Sequence, residues 1–218
     1  MYEPILITSC SRSGSSMVAG CFNLSGAWGG VMRGATSHNQ KGMFENITIV
    51  ETMVKPYLKG IGADPLGQYP LPSTENMIIP VFWNTAVESI ILREGYIDGP
   101  WFYKEPKMCL MWPVWHVAYP KAQWIIVRRP DQDIINSCLR TPFMRAYKNT
   151  DGWGKWVAHH LRCFQEMKDM GLNVREIWSD NLIGGNYEEL QEVIESCGLT
   201  YNKQILRDFI DPVLYTRS

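Results

Sequence analysis

The sequence predicts an α/β fold of three layers, in which helices cover both faces of a central parallel sheet. Short apolar runs of strand length alternate with longer segments whose apolar residues recur at helical spacing. This alternation is typical of parallel sheets, because parallel neighbours need a crossover connection. The 218 residues contain no repeat, low-complexity segment or interdomain linker, so we expect a single domain over 1–218.

The N-terminal half begins with a strand. Residues 4–9 contain the apolar run Ile5-Leu6-Ile7, which indicates a buried strand. Apolar side chains three or four residues apart predict helices over 14–25, 46–58 and 80–94. The stretches between them, 27–44 and 60–75, are rich in glycine, proline and polar residues and are predicted as loops.

The C-terminal half continues the alternation. Apolar runs predict strands over 101–104, 123–128 and 173–178. Residues 107–118 are aromatic and interrupted by prolines, which predicts short helical turns. Further helices are predicted over 130–140, 155–170, 186–197 and 202–210. Pro130 suits a first helical turn, and Asn186 with Glu189 forms a capping-box pattern.

Composition narrows the class of protein. The formal net charge of −1 gives no general electrostatic attraction for nucleic acid. The N-terminus lacks a signal-peptide pattern and no apolar run reaches 18 residues, so no membrane span is expected. The six cysteines form no C-x-x-C pair and no zinc-type spacing, which predicts mostly buried free thiols. A protein of the reducing cytoplasm is expected.

The segment Ser11-Arg12-Ser13-Gly14-Ser15-Ser16 carries the clearest chemistry. It joins the first strand to the first helix, so its backbone N–H groups and the helix dipole favour an anion. The serine hydroxyls add donors, and Arg12 adds a planar cation suited to oxyanions. In the nucleotide-triphosphate loop G-x-x-x-x-G-K-[ST], Ser9 would replace the first glycine and Ser15 the lysine, which argues against ATP chemistry.

A second group of polar residues follows the strand at 123–128. Arg128-Arg129-Pro130 ends this strand, and Ser137 lies about two turns into the next helix. The carboxyl ends of parallel strands are where α/β folds bind ligands, so these side chains could hold a second anionic group. The alternative is a pair of surface arginines with a serine on a helix flank.

Together the two groups resemble the sulfotransferase family, which uses 3′-phosphoadenosine 5′-phosphosulfate (PAPS). The first segment is similar to that family's 5′-phosphosulfate loop, Arg or Lys followed by Ser-Gly-Thr-Thr, with Ser15 and Ser16 in place of the threonines. The second is similar to its 3′-phosphate segment. The resemblance extends to 42–46, Gly-Met-Phe-Glu-Asn, and to 178–182, Trp-Ser-Asp-Asn-Leu. It implies a P-loop-NTPase-like sulfotransferase architecture with PAPS as co-substrate and 3′,5′-ADP as product.

The sequence departs from the family pattern at two points. The family serine lies six residues after the proline, whereas Ser137 lies seven after Pro130. The 3′-phosphate arginine is therefore Arg129 by its spacing to Ser137, or Arg128 by its spacing to Pro130. The family's Lys-x-His reads Lys104-Glu105-Pro106 here, and its C-terminal Gly- and Lys-rich nucleotide loop is not recognisable.

Sulfuryl transfer needs cations on the transferred group and a base for the acceptor proton. Arg12 and the N–H groups from Gly14 to Ser16 can supply the first, and the resemblance adds Lys104. Glu45 is the first candidate for the base, since related branches of the family use a glutamate after the first helix. Glu105 is the second, and two histidines, His116 and His38, are further options. No metal is expected.

Three functions remain open from sequence. The leading one is transfer of a sulfuryl group to a hydroxyl or amine on a small or peptide-borne acceptor. The others are a P-loop-like nucleotide kinase and a nucleotide-binding module without catalysis. The aromatic residues in 27–44, 60–75 and the Trp-rich 101–115 favour an apolar or ring-bearing acceptor. Oligomeric state and pathway are not encoded in any pattern that we recognise.

Overall fold

A four-stranded parallel sheet forms the centre of the computed structural model, which describes residues 1–36, 39–75 and 77–216. Its strands are β1 (Ile5–Ser9), β2 (Phe102–Lys104), β3 (Gln123–Arg128) and β4 (Val174–Trp178). They lie in the order β2-β1-β3-β4, and every neighbouring pair is parallel. Ile7 stands opposite Lys104 on one side and Ile125 on the other, which fixes the register of the central strand.

The helices follow the chain between and after these strands. The first half contains α1 (Ser15–Leu24), α2 (Ile47–Ile49), a π-helical segment (Val50–Val54), α3 (Lys55–Gly60) and α4 (Trp83–Arg93). The middle contains a 3₁₀ helix (Pro106–Met111), α5 (Trp112–Ala118), α6 (Asp131–Arg140) and α7 (Thr150–Asp169). The last part contains α8 (Ser179–Ile183), α9 (Glu188–Ser196), α10 (Lys203–Phe209) and α11 (Pro212–Thr216).

Two apolar cores lie on opposite faces of the sheet. Leu6 and Ile126 face a core built with α4 to α7, where most of the large aromatic side chains pack. Ile5, Ile7 and Val127 face a second core built with α1, α9 and α10. Because side chains alternate along a strand, burial on both faces requires the unbroken apolar runs that the sequence contains. The predicted parallel α/β sheet with helices on both faces is confirmed.

Most predicted elements occur within a few residues of their expected positions. The four strands match, and the helix at 46–58 occurs as 47–60 with a π-helical middle. The helix predicted from 155 begins earlier, at Thr150, because the Asn149 side chain accepts a hydrogen bond from the Gly152 N–H at 2.9 Å. That residues 1–218 form a single domain stays a prediction.

The predicted capping box at Asn186 is wrong. Helix α9 begins at Glu188, and Asn186 Oδ1 accepts from the Glu188 N–H at 3.1 Å outside the helix. Glu189 instead accepts hydrogen bonds from the Trp178 N–H and from the Asn181 side chain. The glutamate therefore ties α9 to the end of β4 and does not cap its own helix.

The cysteine prediction is confirmed. All six thiols are free; five are buried and Cys197 is half-buried. No helix over 1–36, 39–75 and 77–216 is long and apolar enough to cross a membrane. The same residues contain no cluster of three or more His, Cys, Asp or Glu side chains arranged to hold a metal ion.

Candidate functional site

A cavity of about 560 Å³ opens at the carboxyl edge of the sheet. The chain places β2 on one side of β1 and then returns to place β3 on the other. The connections from β1 and β3 therefore separate at this edge, which creates the kind of crevice where parallel sheets bind ligands. The turn from β1 to α1 and the loop from 39 to 45 form much of its wall.

The turn between β1 and α1 exposes a helix N-terminus to the cavity. Gly14 precedes α1 with φ of 84°, and no side chain caps the helix. No acidic residue lies in its first turn, which includes Ser15 and Ser16. The N–H groups of this turn and the positive end of the helix dipole are thus directed at the space where Arg12, Ser15 and Ser16 line the cavity.

Three of the residues predicted from two distant segments meet beside this turn. Arg12 Nε donates to Ser137 Oγ at 3.0 Å, and Arg129 Nη1 donates to the Arg12 carbonyl at 3.1 Å. Ser137 is completely buried and Arg129 is 6% exposed. The turn after β1 and the segment after β3 are therefore one structural unit, as the sequence predicts.

Neither arginine of this unit has a carboxylate within ion-pair distance among the residues that the structure describes. Burial, together with the charges of Arg129 and Arg140, lowers the pKa of Arg12, so its surroundings disfavour the cation. The Nε of Arg129 is buried and has no hydrogen-bond partner within the same residues. Within the described residues, two partly or fully buried guanidinium groups thus have no carboxylate partner.

Arg128 does not join this unit. Its guanidinium donates to Glu176 Oε1 at 2.7 Å and lies 5.0 Å from the centre of the Trp178 ring. It also contacts Phe164 in the core on the far side of β3, and it does not line the cavity. Of the two arginines left open by spacing, Arg129 is the one that lies beside Arg12 and Ser137.

Lys104 connects the end of β2 to the same cavity. Its Nζ donates to Glu45 Oε1 at 2.8 Å, to the Met43 carbonyl at 3.1 Å and to Ser16 Oγ at 3.2 Å. The lysine side chain is 2% exposed and the Glu45 side chain 15%. Burial raises the pKa of Glu45, but Lys104 and Lys107 outweigh it, so the pKa lies below its ordinary value. Glu45 is held as a carboxylate next to the helix N-terminus.

Glu105 is completely buried and pairs with Lys107. One oxygen, Oε1, accepts from Lys107 Nζ at 2.7 Å and from the Lys107 N–H at 3.1 Å. The other oxygen, Oε2, has no partner in the described part of the chain. Burial raises the pKa of Glu105, against the opposing charge of Lys107. Burial also lowers the pKa of Lys107, but Glu105 and Glu45 raise it above its usual value.

The remaining predicted residues divide between the cavity and its surroundings. Ser15 and Ser16 line the cavity, while Ser13 is buried behind the turn, with its hydroxyl unpartnered among the described residues. His116 lies on α5 and does not line the cavity. His38 lies outside the described residues.

The expected aromatic acceptor pocket is wrong in one respect. None of the nine tryptophans, all of them in described segments, lines the cavity. Trp101 and Trp115, from the stretch expected to shape the acceptor site, are completely enclosed in the core. The wall instead carries charge. Of the described residues, seven basic and three acidic side chains line it: Arg12, Arg33, Lys41, Lys55, Lys104, Lys107 and Arg140, with Glu45, Glu105 and Asp211.

One wall of the cavity was not predicted from sequence. The C-terminal segment contributes Phe209, Leu214 and Tyr215. The Tyr215 ring lies 4.1 Å from the Arg129 guanidinium carbon, and its hydroxyl contacts Ser179 Oγ and Asp180 Oδ1, each at 2.7 Å. Only the resemblance at 178–182 pointed towards this region. Nothing in the local sequence of α11 indicates a contact with residues far away in the chain.

Comparison with solved structures gives a likeness to a sulfotransferase. No protein-family model matches the chain. No curated protein matches it by sequence. The crystal structure of a sulfotransferase from Mycobacterium tuberculosis H37Rv aligns over 96% of this chain and 76% of that protein, with a TM-score of 0.43 and 10% sequence identity.

Proposed function

We propose that this protein is a PAPS-dependent sulfotransferase, which moves a sulfuryl group from PAPS to a hydroxyl or amine acceptor by in-line transfer. One observation carries the proposal: Arg12 and Arg129 meet without a carboxylate partner among the described residues, beside the uncapped N-terminus of α1. A buried cation without a partner is costly, so an anionic ligand at this place would repay part of that cost. The two arginines come from different strands, which suits a ligand with two anionic groups.

The charge of the cavity supports an anionic substrate. Seven basic and three acidic described side chains line it, although the whole chain has a formal net charge of −1. A cleft with one sign of charge raises the local concentration of ligands of the opposite sign. This excess is local, and it argues for a small polyanion and against nucleic acid.

We assign the two ends of the donor to the two sides of Arg12. The N–H groups of Ser15 and Ser16, with Lys104, would hold the 5′-phosphosulfate, because Lys104 already donates to Ser16 Oγ. Arg129 and Ser137 would hold the 3′-phosphate, and Arg12 would contribute to both. Arg128 has no part in this assignment, since its guanidinium is paired with Glu176.

Glu45 is proposed as the base. It lines the cavity as a carboxylate, and Lys104 occupies only its Oε1. The acceptor oxygen or nitrogen would attack the sulfur while its proton passes to Glu45. The S–O bond of the P–O–S bridge would break, and its electron pair would leave on the phosphate oxygen of 3′,5′-ADP. Lys104 and the N–H groups of α1 would stabilise the charge on the sulfuryl and bridging oxygens. Glu105 remains the second candidate.

The free, buried thiols support a reducing compartment such as the cytoplasm. A small or peptide-borne acceptor suits the size of the cavity. A kinase gains no support from the site, because Ser15 occupies the place of the phosphate-binding lysine.

Ligand-dependent thermal stability tests the proposal. At a concentration of 100 times its Kd, 3′,5′-ADP should stabilise the protein by about 2.7 kcal/mol, or roughly 5–10 °C in melting temperature. Arg12→Ala and Arg129→Ala should abolish most of this shift. Arg175→Ala is the matched control, because that arginine is half exposed and its ion pair lies outside the cavity. Stabilisation by ATP with Mg²⁺, and none by 3′,5′-ADP, would refute the sulfotransferase.

Transfer of label from [³⁵S]PAPS tests catalysis. A panel of phenols, alcohols, amines and tyrosine-containing peptides should contain at least one acceptor that the wild type labels. Glu45→Gln should stop this labelling while 3′,5′-ADP still binds. Binding of 3′,5′-ADP without labelling of any acceptor would instead indicate a nucleotide-binding module.

A further inference from the structure

Helix α11 lies directly over the arginine that we assign to the 3′-phosphate. The Tyr215 ring is 4.1 Å from the Arg129 guanidinium carbon, and Arg129 is 6% exposed. The same ring also lies against the β1–α1 turn: a Cβ on Gly14 would be 3.1 Å from Tyr215 Cε2. The ring therefore separates Arg129 from the cavity that Tyr215 helps to line.

The contacts of the Tyr215 hydroxyl resemble a latch. Its oxygen lies 2.7 Å from Asp180 Oδ1 and 2.7 Å from Ser179 Oγ, and Ser179 Oγ is in turn 2.9 Å from the Arg128 carbonyl. The Tyr215 hydroxyl donates to Asp180 Oδ1 and also contacts Ser179 Oγ, so it holds α11 to the residues that follow β4.

The Tyr215 ring stacks on the guanidinium of Arg129. The face of an aromatic ring carries negative potential and attracts a guanidinium. Arg129 is 6% exposed and does not line the cavity, whereas Tyr215 does. An anion that enters from the cavity must therefore displace the ring before it can reach the N–H groups of Arg129.

We infer that α11 is a cap, closed by Tyr215 over Arg129, which must open before an anion can bind there. The inference rests on the anion site of the proposed function, but not on the identity of the nucleotide. Helix α11 has five residues, too short to be stable as an isolated helix, so its position depends on its contacts with the rest of the chain. A binding site that is open only part of the time has a correspondingly lower apparent affinity.

Tyr215→Phe tests the cap, because it removes the latch hydroxyl and keeps the ring. The variant should bind 3′,5′-ADP about three- to tenfold more tightly than the wild type, mainly through faster association, as expected for the loss of one net hydrogen bond. Tyr201→Phe is the matched control and should leave binding unchanged, since Tyr201 packs in the core around α9 and α10. Unchanged or weaker binding by Tyr215→Phe would overturn the cap.

Hydrogen exchange of α11 gives a second test, because a cap and a platform under the ligand predict opposite changes in the exchange rate. If α11 is a cap, saturating 3′,5′-ADP should speed the exchange of its backbone N–H groups about tenfold or more. If Tyr215 is instead a platform on which the ligand rests, the ligand should slow that exchange, and the cap is overturned. Melting temperatures within about 4 °C of the wild type would exclude a general loss of stability in the variants.

Inorganic pyrophosphate separates the cap from the nucleotide proposal. One possible result is that pyrophosphate binds, that Tyr215→Phe binds it more tightly than the wild type does, and that 3′,5′-ADP binds neither protein. In that case the cap holds and PAPS use is refuted. If neither probe binds Tyr215→Phe, opening the latch exposes no anion site, and the cap is overturned together with the proposed function.

Discussion

Replacing Arg12 with glycine should separate anion binding from folding. Arg12 has φ of 73°, a left-handed conformation that disfavours every residue except glycine. Such a conformation costs on the order of 1 kcal/mol for a residue with a side chain. The chain nevertheless keeps an arginine there, where the turn enters the proposed phosphosulfate site.

The expected change in the free energy of unfolding is small because its contributions oppose each other. Glycine relieves the strain but adds about 0.5–1 kcal/mol of backbone entropy to the unfolded chain. The hydrogen bond from Arg12 to Ser137 is lost, at a cost of about 1.5 kcal/mol. Burial and the charges of Arg129 and Arg140, which lower the Arg12 pKa, cease to act against a cation. The net change should stay within about 1 kcal/mol, or roughly 4 °C in melting temperature.

Ligand binding should respond far more strongly. An arginine that donates two charge-assisted hydrogen bonds to a phosphosulfate contributes about 3 kcal/mol, which corresponds to about a 100-fold weaker Kd when it is removed. Isothermal titration with 3′,5′-ADP and thermal unfolding of the same samples measure the two quantities together.

Arg12→Ala is the matched variant, because it removes the guanidinium but keeps a side chain at positive φ. It should bind 3′,5′-ADP as weakly as Arg12→Gly and unfold up to about 0.5 kcal/mol more easily, because the strain remains while the added entropy of glycine is absent. If Arg12→Gly bound within threefold of the wild type, Arg12 would not hold the ligand. If alanine were the more stable of the two variants, the strain argument would fail.

Three further predictions concern other residues of the site. Glu45→Gln should slow sulfuryl transfer by about 10²- to 10⁴-fold and reduce stability by about 3 kcal/mol, because buried Lys104 loses its carboxylate; steady-state kinetics and denaturant unfolding measure both. Burial raises the pKa of Glu45, but Lys104 acts against it and the pKa in the folded protein lies below its ordinary value. The stability that Glu45 contributes is therefore complete above pH about 4.3 and is lost as the pH falls through the folded pKa. The free energy of unfolding of Glu45→Gln should not show this loss in acid. Arg129→Ala should weaken 3′,5′-ADP binding at least tenfold, whereas Arg128→Ala should leave Kd unchanged in the same titration. Gly14→Ala should cost about 1–3 kcal/mol in denaturant unfolding, because φ is 84° and the new Cβ would lie 3.0 Å from a neighbouring side-chain carbon.

The strands were predictable because their chemistry is local. β1 is buried along its whole length, and a strand covered on both faces must be apolar throughout. Helix boundaries were less predictable. Asn149 caps α7 from a segment without apolar periodicity. Glu189 accepts a hydrogen bond from the end of β4, which lies close to it only in the folded chain.

The alternation of side chains along a strand distinguishes Arg128 from Arg129, whereas spacing to Ser137 and Pro130 left both possible. Side chains alternate along β3, so Arg128 continues the face of Trp124 and Ile126, which meets the aromatic core. Its guanidinium accordingly lies near Phe164 in that core, 5.8 Å from the ring centre. Arg129 comes one residue later and lies beside Arg12. The spacing to Ser137 agrees with this placement, whereas the spacing to the adjacent Pro130 does not.

The tryptophans show what composition cannot tell. A large aromatic content predicts both a core and an aromatic pocket, because both bury rings. Trp101 and Trp115 contribute to the core, and the cavity wall is formed by loops with lysines and arginines. The Tyr215 contact was equally hidden, since it joins α11 to the turns after β1, β3 and β4 through tertiary packing alone.

Backbone strain identifies the site independently of any family likeness. Among the described residues, only Arg12 and Phe44 have positive φ without being glycine, at 73° and 56°. Arg12 presents a guanidinium beside the start of α1, and Phe44 lies between Met43 and Glu45, whose oxygens both accept from Lys104. A fold that needed only stability would relieve such strain with glycine, as it does at Gly14 and Gly42. Because both strained residues lie beside groups that line the same cavity, the strain supports the proposed ligand site.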